Sequence, residues 1–182
     1  MTIQIEGRHV VLVGMMGTGK SAVGRSLAGR LDRPFYDTDR LIEKREGRSI
    51  ASMFHANGEN YFREVEASVI REVTGMADGV IATGGGALIR EENRAALKAR
   101  GLLIWLKADL KAMVNRTKRR STRPLLAVRD REAQLARLLA ERTPLYAEAA
   151  LSVETTGKRV EEVAQIILNW IKDGNDMRRE GR

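Results

Sequence analysis

The chain has 182 residues, of which 43% are hydrophobic and 31% charged, as is typical of one globular domain. It has no cysteine, which excludes a disulfide framework, and no apolar run long enough to span a membrane. The net charge of +8 would suit nucleic acid, but a basic cleft for small anions explains it equally well, since only 4% of the residues are aromatic. We expect a cytoplasmic monomer without nucleic-acid or membrane partners, with one domain at 1–172 and a flexible tail at 173–182.

The first motif lies between a short apolar run at 10–13 and a stretch with apolar residues at helical spacing. It reads Gly14-x-x-x-x-Gly19-Lys20-Ser21, the phosphate-binding pattern of a P-loop. Glycines let backbone N–H groups surround phosphate oxygens, and the N-terminus of the next helix adds the positive end of its dipole. Lys20 can reach the β and γ phosphates, and Ser21 can ligate magnesium. The pattern predicts a nucleotide site rather than an ordinary glycine turn.

Two aspartates follow the next extended segment, which reads FYDTD at 35–39. Side chains at i and i+2 of a strand point the same way, so Asp37 and Asp39 are expected to project together from the strand end. The alternative is a solvated turn in which Asp39 caps the following helix.

The second central strand is predicted at 80–82 and is followed by Thr83 and three glycines, Gly84, Gly85 and Gly86. In an ordinary P-loop enzyme this strand ends in an aspartate that holds magnesium. Because glycine stands here instead, the acid must come from elsewhere, and Asp37 and Asp39 are its natural source. Consecutive glycines favour a place where a ligand approaches the main chain closely, with a floppy turn as the alternative.

Two further arginines stand out on predicted helices. Arg63 and Glu66 are three residues apart and can pair, either at a site or as a surface ion pair of little consequence. Arg142 occupies the next position of an apolar stripe on the helix that begins after Asp130. A charge at an apolar position implies a partner anion or a cleft edge. Pro144 is expected to kink or end that helix.

The segment 116–126 contains four arginines and a lysine without an apolar face. We expect a lid at about 118–130 that closes over a triphosphate; a solvated loop is the alternative. Strands and helices alternate along the whole chain, which predicts a parallel sheet between helix layers. The motifs follow strands directly and would therefore meet in one crevice at the carboxyl ends of the strands.

Taken together, the motifs resemble those of the shikimate kinases. The resemblance implies a three-layer α/β P-loop kinase fold of the nucleoside monophosphate kinase type, with a five-stranded parallel sheet in the order 2-3-1-4-5. It implies transfer of the γ-phosphate of ATP to the 3-hydroxyl of shikimate, in the pathway to chorismate and the aromatic amino acids. The residues that carry it are GMMGTGKS at 14–21, FYDTD at 35–39, Phe62-Arg63-x-x-Glu66, TGGGA at 83–87, Arg123-Pro124-Leu125-Leu126, and Arg142 with Pro144-Leu145-Tyr146.

The resemblance also implies roles for the acceptor site, in a substrate-binding segment at about 37–66. Asp39 would hold the acceptor hydroxyl and help to remove its proton. Arg63 and Arg142 would bind the shikimate carboxylate, with Glu66 orienting Arg63. The backbone at Gly84, Gly85 and Gly86 would line the same pocket.

On the nucleotide side, the resemblance implies that Lys20 and the lid residue Arg123 stabilise charge on the transferring phosphoryl group. Ser21 and, through water, Asp37 would hold Mg²⁺, and Arg116 would lie beside adenine. The loop 155–158 lacks the proline that many family members carry there, which leaves the base contacts on that side open. The phosphates would be bound by Gly14, Gly17, Thr18, Gly19, Lys20 and Ser21.

Two other readings stay open from the sequence. One is a small-molecule kinase of the same fold that acts on gluconate or a nucleoside monophosphate. The other is a nucleotide switch or nucleic-acid-binding module built on the same P-loop. A switch would ordinarily need the magnesium-sensing aspartate after the second strand, where this chain has glycine.

Overall fold

The structure is a computed structural model that describes residues 5, 7–118 and 130–179. Within that part of the chain there are five strands and seven helices, and one or two helices separate each strand from the next, as expected for the predicted parallel sheet. In order, they are β1 (His9–Val13), α1 (Lys20–Leu31), β2 (Phe35–Asp37), α2 (Thr38–Glu46), α3 (Ile50–Thr74), β3 (Val80–Ala82), α4 (Glu91–Arg100), β4 (Gly101–Lys107), α5 (Leu110–Lys118), α6 (Arg131–Tyr146), β5 (Leu151–Glu154) and α7 (Val160–Arg179).

The strands form one parallel sheet in the order β2-β3-β1-β4-β5, which confirms the predicted order. Val10 in the central strand pairs with Val80 on one side and Leu102 on the other. All five residues of β1 are buried, because helices cover both faces of the sheet. Alternate residues of β1 therefore enter two different cores: Val11 and Val13 pack with α3, α4 and α6, and Val10 and Leu12 with α1 and α7.

Local sequence explains the helix boundaries that shape the site. Gly19 adopts a left-handed conformation, with φ 94°, directly before α1. Gly58, with φ 80°, interrupts α3 with a non-helical conformation. Asp130 caps α6 by accepting a hydrogen bond from the Ala133 N–H at 3.0 Å.

The structure corrects the predicted placement of the two aspartates. Asp37 ends β2 and caps α2, accepting a hydrogen bond from the Arg40 N–H at 3.3 Å. Asp39 lies in the first turn of α2, so it neither projects from a strand nor caps the helix. The sequence pattern suits either aspartate as the cap; Asp37 takes that role because the chain is already helical at Thr38.

Of the two outcomes expected at Pro144, an end of the helix is not observed. α6 runs on to Tyr146, because a proline in the last turn removes only one backbone bond of the helix. α7 runs to Arg179, beyond position 172, where the domain was expected to end. The flexibility of 173–182 stays a prediction. Arg123 and most of the expected lid, 118–130, lie outside the described residues.

In the part of the chain that the structure describes, no helix combines the length and the apolar character needed to cross a membrane.

Candidate active site

The P-loop leaves the carboxyl end of β1 and wraps around the side chain of Lys20. The Lys20 ammonium donates to the carbonyl oxygens of Gly14 at 2.7 Å and Met15 at 2.8 Å. Thr18 is buried, and its hydroxyl also donates to the Met15 carbonyl, at 2.8 Å. At Gly14, with φ 133°, a Cβ atom would collide with the Leu106 carbonyl of β4, so the loop can approach the sheet only as glycine.

A cavity of about 520 Å³, here called the P-loop cavity, opens in front of this loop. One end is bounded by the start of α1 and the other by the end of α5. Its size and its position at the carboxyl ends of the strands are typical of a ligand site in an α/β protein. It is lined by Gly17, Gly19, Lys20, Ser21, Ala22, Asp37, Asp39, Thr83, Gly85, Asn115, Arg116 and Thr117.

A second cavity of about 290 Å³ lies beside the first and is here called the arginine cavity. Ser21, Ala22, Asp37, Asp39 and Gly85 line both cavities. A ligand in one cavity would therefore meet a ligand in the other beside these residues. The remaining lining residues are Met16, Arg25, Arg40, Glu43, Ile50, Phe54, Phe62, Arg63, Glu66, Gly84, Gly86 and Arg142.

Arg63 is held in the arginine cavity by two carboxylates of its own helix. One guanidinium nitrogen donates to Glu66 Oε2 at 2.7 Å, and two others donate to Glu59 Oε1 at 2.8 and 3.1 Å. The Arg63 and Glu66 side chains are 8% and 1% exposed, so the pair is not the surface ion pair that the sequence left as an alternative. The spacing of Glu59 and Arg63, four residues apart, was a signal for the second partner that our sequence analysis missed.

Burial dominates the electrostatics of this cavity. It raises the pKa of Glu66, although the neighbouring Arg63 cation opposes that shift. Burial alone would lower the pKa of Arg63, but the charges and hydrogen bonds of Glu66 and Glu59 outweigh it and raise the pKa. Glu66 Oε1 and one terminal nitrogen of Arg142 are buried without a hydrogen-bond partner. Such atoms are costly in a protein interior, which favours a polar ligand in this cavity.

The three glycines after β3 pass between these side chains. A Cβ at Gly86 would lie 2.5 Å from both terminal nitrogens of Arg63, and one at Gly84 would lie 2.7 Å from Asp39 Oδ1. Gly84 and Gly86 are therefore needed because the main chain approaches the protein's own charged side chains closely; the close approach of a ligand, which the sequence predicted, stays a prediction. Each of these glycines is buried, so the segment is not the flexible turn that the sequence left as an alternative.

Two residues that the sequence analysis did not assign fix the glycine segment. The Thr38 hydroxyl accepts a hydrogen bond from the Gly84 N–H at 3.1 Å, and the Tyr146 hydroxyl donates to the Gly85 carbonyl. Burial raises the pKa of Tyr146 to about 12, so the phenol keeps its proton and remains a donor. No sequence spacing connects these residues, because they belong to elements far apart in the chain.

Arg116 lies at the far end of the P-loop cavity and connects two loops. Its guanidinium donates to the Gly17 carbonyl at 3.1 Å, to the Thr155 hydroxyl at 3.3 Å and to the Thr155 carbonyl at 3.2 Å. Most of the expected site residues in the described ranges line one of the two cavities; Gly14 and Thr18 lie in the P-loop but line neither. Across residues 5, 7–118 and 130–179, no group of three or more His, Asp or Glu is placed to hold a metal ion.

Comparison with known proteins identifies the family of the chain. The family model for shikimate kinase matches residues 16–172. The chain belongs to the shikimate kinase family. A shikimate kinase of Geobacter sulfurreducens is 43% identical over 173 residues, which cover 95% of this chain and 96% of the relative. One of Bradyrhizobium diazoefficiens is 48% identical over 146 residues, which cover 80% of this chain and 70% of the relative.

Solved structures agree on the fold and the family. A shikimate kinase from Acinetobacter baumannii, in complex with shikimate, matches with a TM-score of 0.90 and 41% identity, over 92% of this chain and 94% of that one. A gluconokinase from Sinorhizobium meliloti matches with a TM-score of 0.62 at 16% identity, a likeness of fold alone. Membership of the family makes the chain an ATP-dependent kinase, a phosphotransferase that acts on an alcohol group, and confirms the predicted P-loop kinase fold.

Proposed function

We propose that this chain transfers the γ-phosphate of ATP to the 3-hydroxyl of shikimate, with ATP in the P-loop cavity and shikimate in the arginine cavity. The observation that carries the proposal is a cavity lined by two buried arginines, Arg63 and Arg142, and joined to the P-loop cavity through Asp39. A small acceptor with a carboxylate fits such a cavity, since paired arginines favour carboxylates. The shikimate complex of the similar Acinetobacter enzyme supports the same acceptor.

Arg63 and Arg142 would bind the shikimate carboxylate. Both side chains are buried, so their attraction for an anion is screened little by water. Glu66 and Glu59 would orient Arg63, and the unpaired buried nitrogen of Arg142 would find its partner in the ligand. The backbone of Gly84, Gly85 and Gly86 would form the adjoining wall.

Asp39 is positioned for the chemical step because it lines both cavities. We assign it the acceptor hydroxyl, which it would orient and from which it would take the proton. The hydroxyl oxygen bonds to the γ-phosphorus, the bond from that phosphorus to the β–γ bridging oxygen breaks, and ADP leaves. Lys20 would stabilise the charge that develops on the phosphoryl oxygens, assisted by Arg123, which lies outside the described residues.

Mg²⁺ fits the residues where the two cavities meet. It prefers oxygen ligands and usually combines one or two protein groups with water and substrate phosphates. The hydroxyl of Ser21 and the carboxylate of Asp37, which line both cavities, are such groups. When bound with ATP, the ion would neutralise charge on the phosphates.

We further propose that residues 1–172 form one catalytic domain, with a substrate-binding segment at about 37–66, a lid at about 118–130 and a tail at 173–182. The proposed active form is a monomer. Its partners would be the small molecules ATP and shikimate in the cytoplasm, without nucleic acid or membrane. In the P-loop, Gly14, Gly17, Thr18 and Gly19 would bind the phosphates, and Arg116 would contact the base.

The test is ADP release with ATP and magnesium, with and without shikimate, on the wild type and on Asp39→Asn. We expect strong stimulation by shikimate that is lost in the variant. Asp32→Asn is the matched control, because Asp32 lies in the left-handed turn after α1, a conformation that asparagine also tolerates. Stimulation by gluconate or a nucleoside monophosphate, and none by shikimate, would refute the acceptor and leave the nucleotide site intact.

A further inference from the structure

The loop after β5 contributes a buried hydroxyl to the edge of the P-loop cavity. Thr155 is 3% exposed, although it lies in a loop. Its N–H and its hydroxyl both donate to the Lys107 carbonyl at the end of β4, each at 2.8 Å. Because a hydroxyl has a single hydrogen, this bond fixes its orientation and turns its lone pairs away from Lys107.

Those lone pairs accept from Arg116, which reaches Thr155 from α5. The hydroxyl and the carbonyl of Thr155 receive two different nitrogens of the Arg116 guanidinium, at 3.3 and 3.2 Å. The nitrogen that donates to the hydroxyl also donates to the Gly17 carbonyl in the P-loop, at 3.1 Å. Three hydrogen bonds therefore hold one planar cation between two loops.

We propose that Thr155 is a positioning residue for nucleotide binding, which acts by fixing the Arg116 guanidinium against the P-loop. This inference rests on the proposed placement of ATP in the P-loop cavity. A cation held in advance loses less side-chain entropy when the nucleotide binds, so the effect falls on affinity for ATP. The bond to Gly17 carries the same constraint into the loop that surrounds the phosphates.

The decisive variant is Thr155→Val, which keeps the shape of the side chain and removes the hydroxyl. We expect the KM for ATP to rise about tenfold, the effect of one hydrogen bond to a charged group, with kcat and the KM for shikimate within about twofold of wild type. Thr155→Ser retains the hydroxyl and should restore the KM for ATP. Thr155→Ala serves the same comparison if the valine variant fails to fold.

A double-mutant cycle separates positioning from a structural role. If Thr155 acts through Arg116, Thr155→Val will not raise the KM for ATP further in an Arg116→Ala background. Thr74→Val is the matched control, because Thr74 is also a buried threonine whose hydroxyl donates only to backbone carbonyls, those of Ile70 and Arg71. It should lower the melting temperature without changing the KM for ATP.

The inference is overturned if Thr155→Val leaves the KM for ATP unchanged, or if its effect adds in full to that of Arg116→Ala. It is also overturned if ATP and shikimate KM values rise together as the melting temperature falls. Lys20→Met distinguishes this failure from a failure of the proposed function. If the P-loop cavity holds ATP, that variant loses activity whatever Thr155 does; retained activity would refute the nucleotide site itself.

Discussion

Arg63 and Glu66 form a buried ion pair in which only one of the two carboxylate oxygens of Glu66 accepts a hydrogen bond. Glu66 Oε2 accepts from Arg63 at 2.7 Å, whereas Oε1 is buried and has no hydrogen-bond partner. A structural ion pair would be expected to satisfy both oxygens, since a buried unpaired acceptor is costly. The pair is therefore better explained as part of a binding site, with Glu66 orienting Arg63 for an anionic ligand.

We first predict that Glu66→Gln lowers kcat/KM for shikimate about tenfold to hundredfold, because a neutral amide orients the guanidinium less strongly. The KM for ATP should stay close to wild type. Glu59→Gln is the matched control, because Glu59 also accepts a hydrogen bond from Arg63 but its side chain is 47% exposed. This variant should lower kcat/KM for shikimate less than Glu66→Gln does. Steady-state kinetics with each substrate varied would check this, and equal losses in the two variants would contradict it.

The second prediction concerns stability against pH. Burial raises the pKa of Glu66 above its ordinary value of 4.5, so above that pH the folded state binds more protons than the unfolded state. Glu66 makes its full contribution to the free energy of unfolding at pH values below its pKa in the unfolded state. That contribution is lost as the pH rises through its pKa in the folded state. Relative to Glu66→Gln, the wild type should therefore lose free energy of unfolding as pH rises above 4.5.

Urea denaturation of both proteins across that range measures the difference. Glu148→Gln is the control, because the hydrogen bond from Lys98 lowers the pKa of Glu148, an exposed residue. A lowered pKa changes stability only at pH values below the ordinary carboxyl pKa. Above that pH, the difference in free energy of unfolding between Glu148→Gln and the wild type should therefore stay constant. A constant difference between the wild type and Glu66→Gln across the range would argue against the raised pKa.

Much of this site could be predicted from the sequence where one local pattern determines one feature. The P-loop pattern identified Lys20 and Ser21, and a charge in an apolar stripe identified Arg142, which is buried at 5% exposure. The alternation of elements predicted a parallel sheet, and the family resemblance supplied its strand order, which the structure confirms. These patterns suffice because strand burial and helix periodicity depend on near neighbours in the chain.

The remaining features depend on contacts between distant segments. The hydrogen bonds from Tyr146 to Gly85 and from Arg116 to Thr155 join residues 61 and 39 positions apart, which no spacing rule connects. The predicted position of Asp39, at the strand end or as the helix cap, was wrong for a different reason. Either aspartate of the FYDTD segment can cap the helix, and the local sequence does not decide between them.

Our third prediction is that Arg142 costs stability in the absence of shikimate. One of its nitrogens is buried without a partner, so Arg142→Met, which keeps an apolar stem, should raise the free energy of unfolding by about 1 kcal/mol. The same variant should lower kcat/KM for shikimate by at least about a hundredfold. Arg137→Met on the same helix is the control, since that side chain is 65% exposed and should change neither quantity. Thermal unfolding that shows Arg142→Met to be less stable than wild type would contradict the prediction.

The last prediction tests whether the glycine segment is shaped by the charged side chains beside it. In Gly86→Ala the new Cβ would lie 2.5 Å from both terminal nitrogens of Arg63, so the guanidinium must move. We expect kcat/KM for shikimate to fall at least about tenfold and the free energy of unfolding to fall by about 1 to 3 kcal/mol, with the KM for ATP nearly unchanged. Gly29→Ala is the control, because its Cβ would meet no atom within 4 Å, and alanine favours the helix. If both variants keep wild-type kinetics with shikimate, Arg63 does not bind the acceptor in the position that the structure gives it.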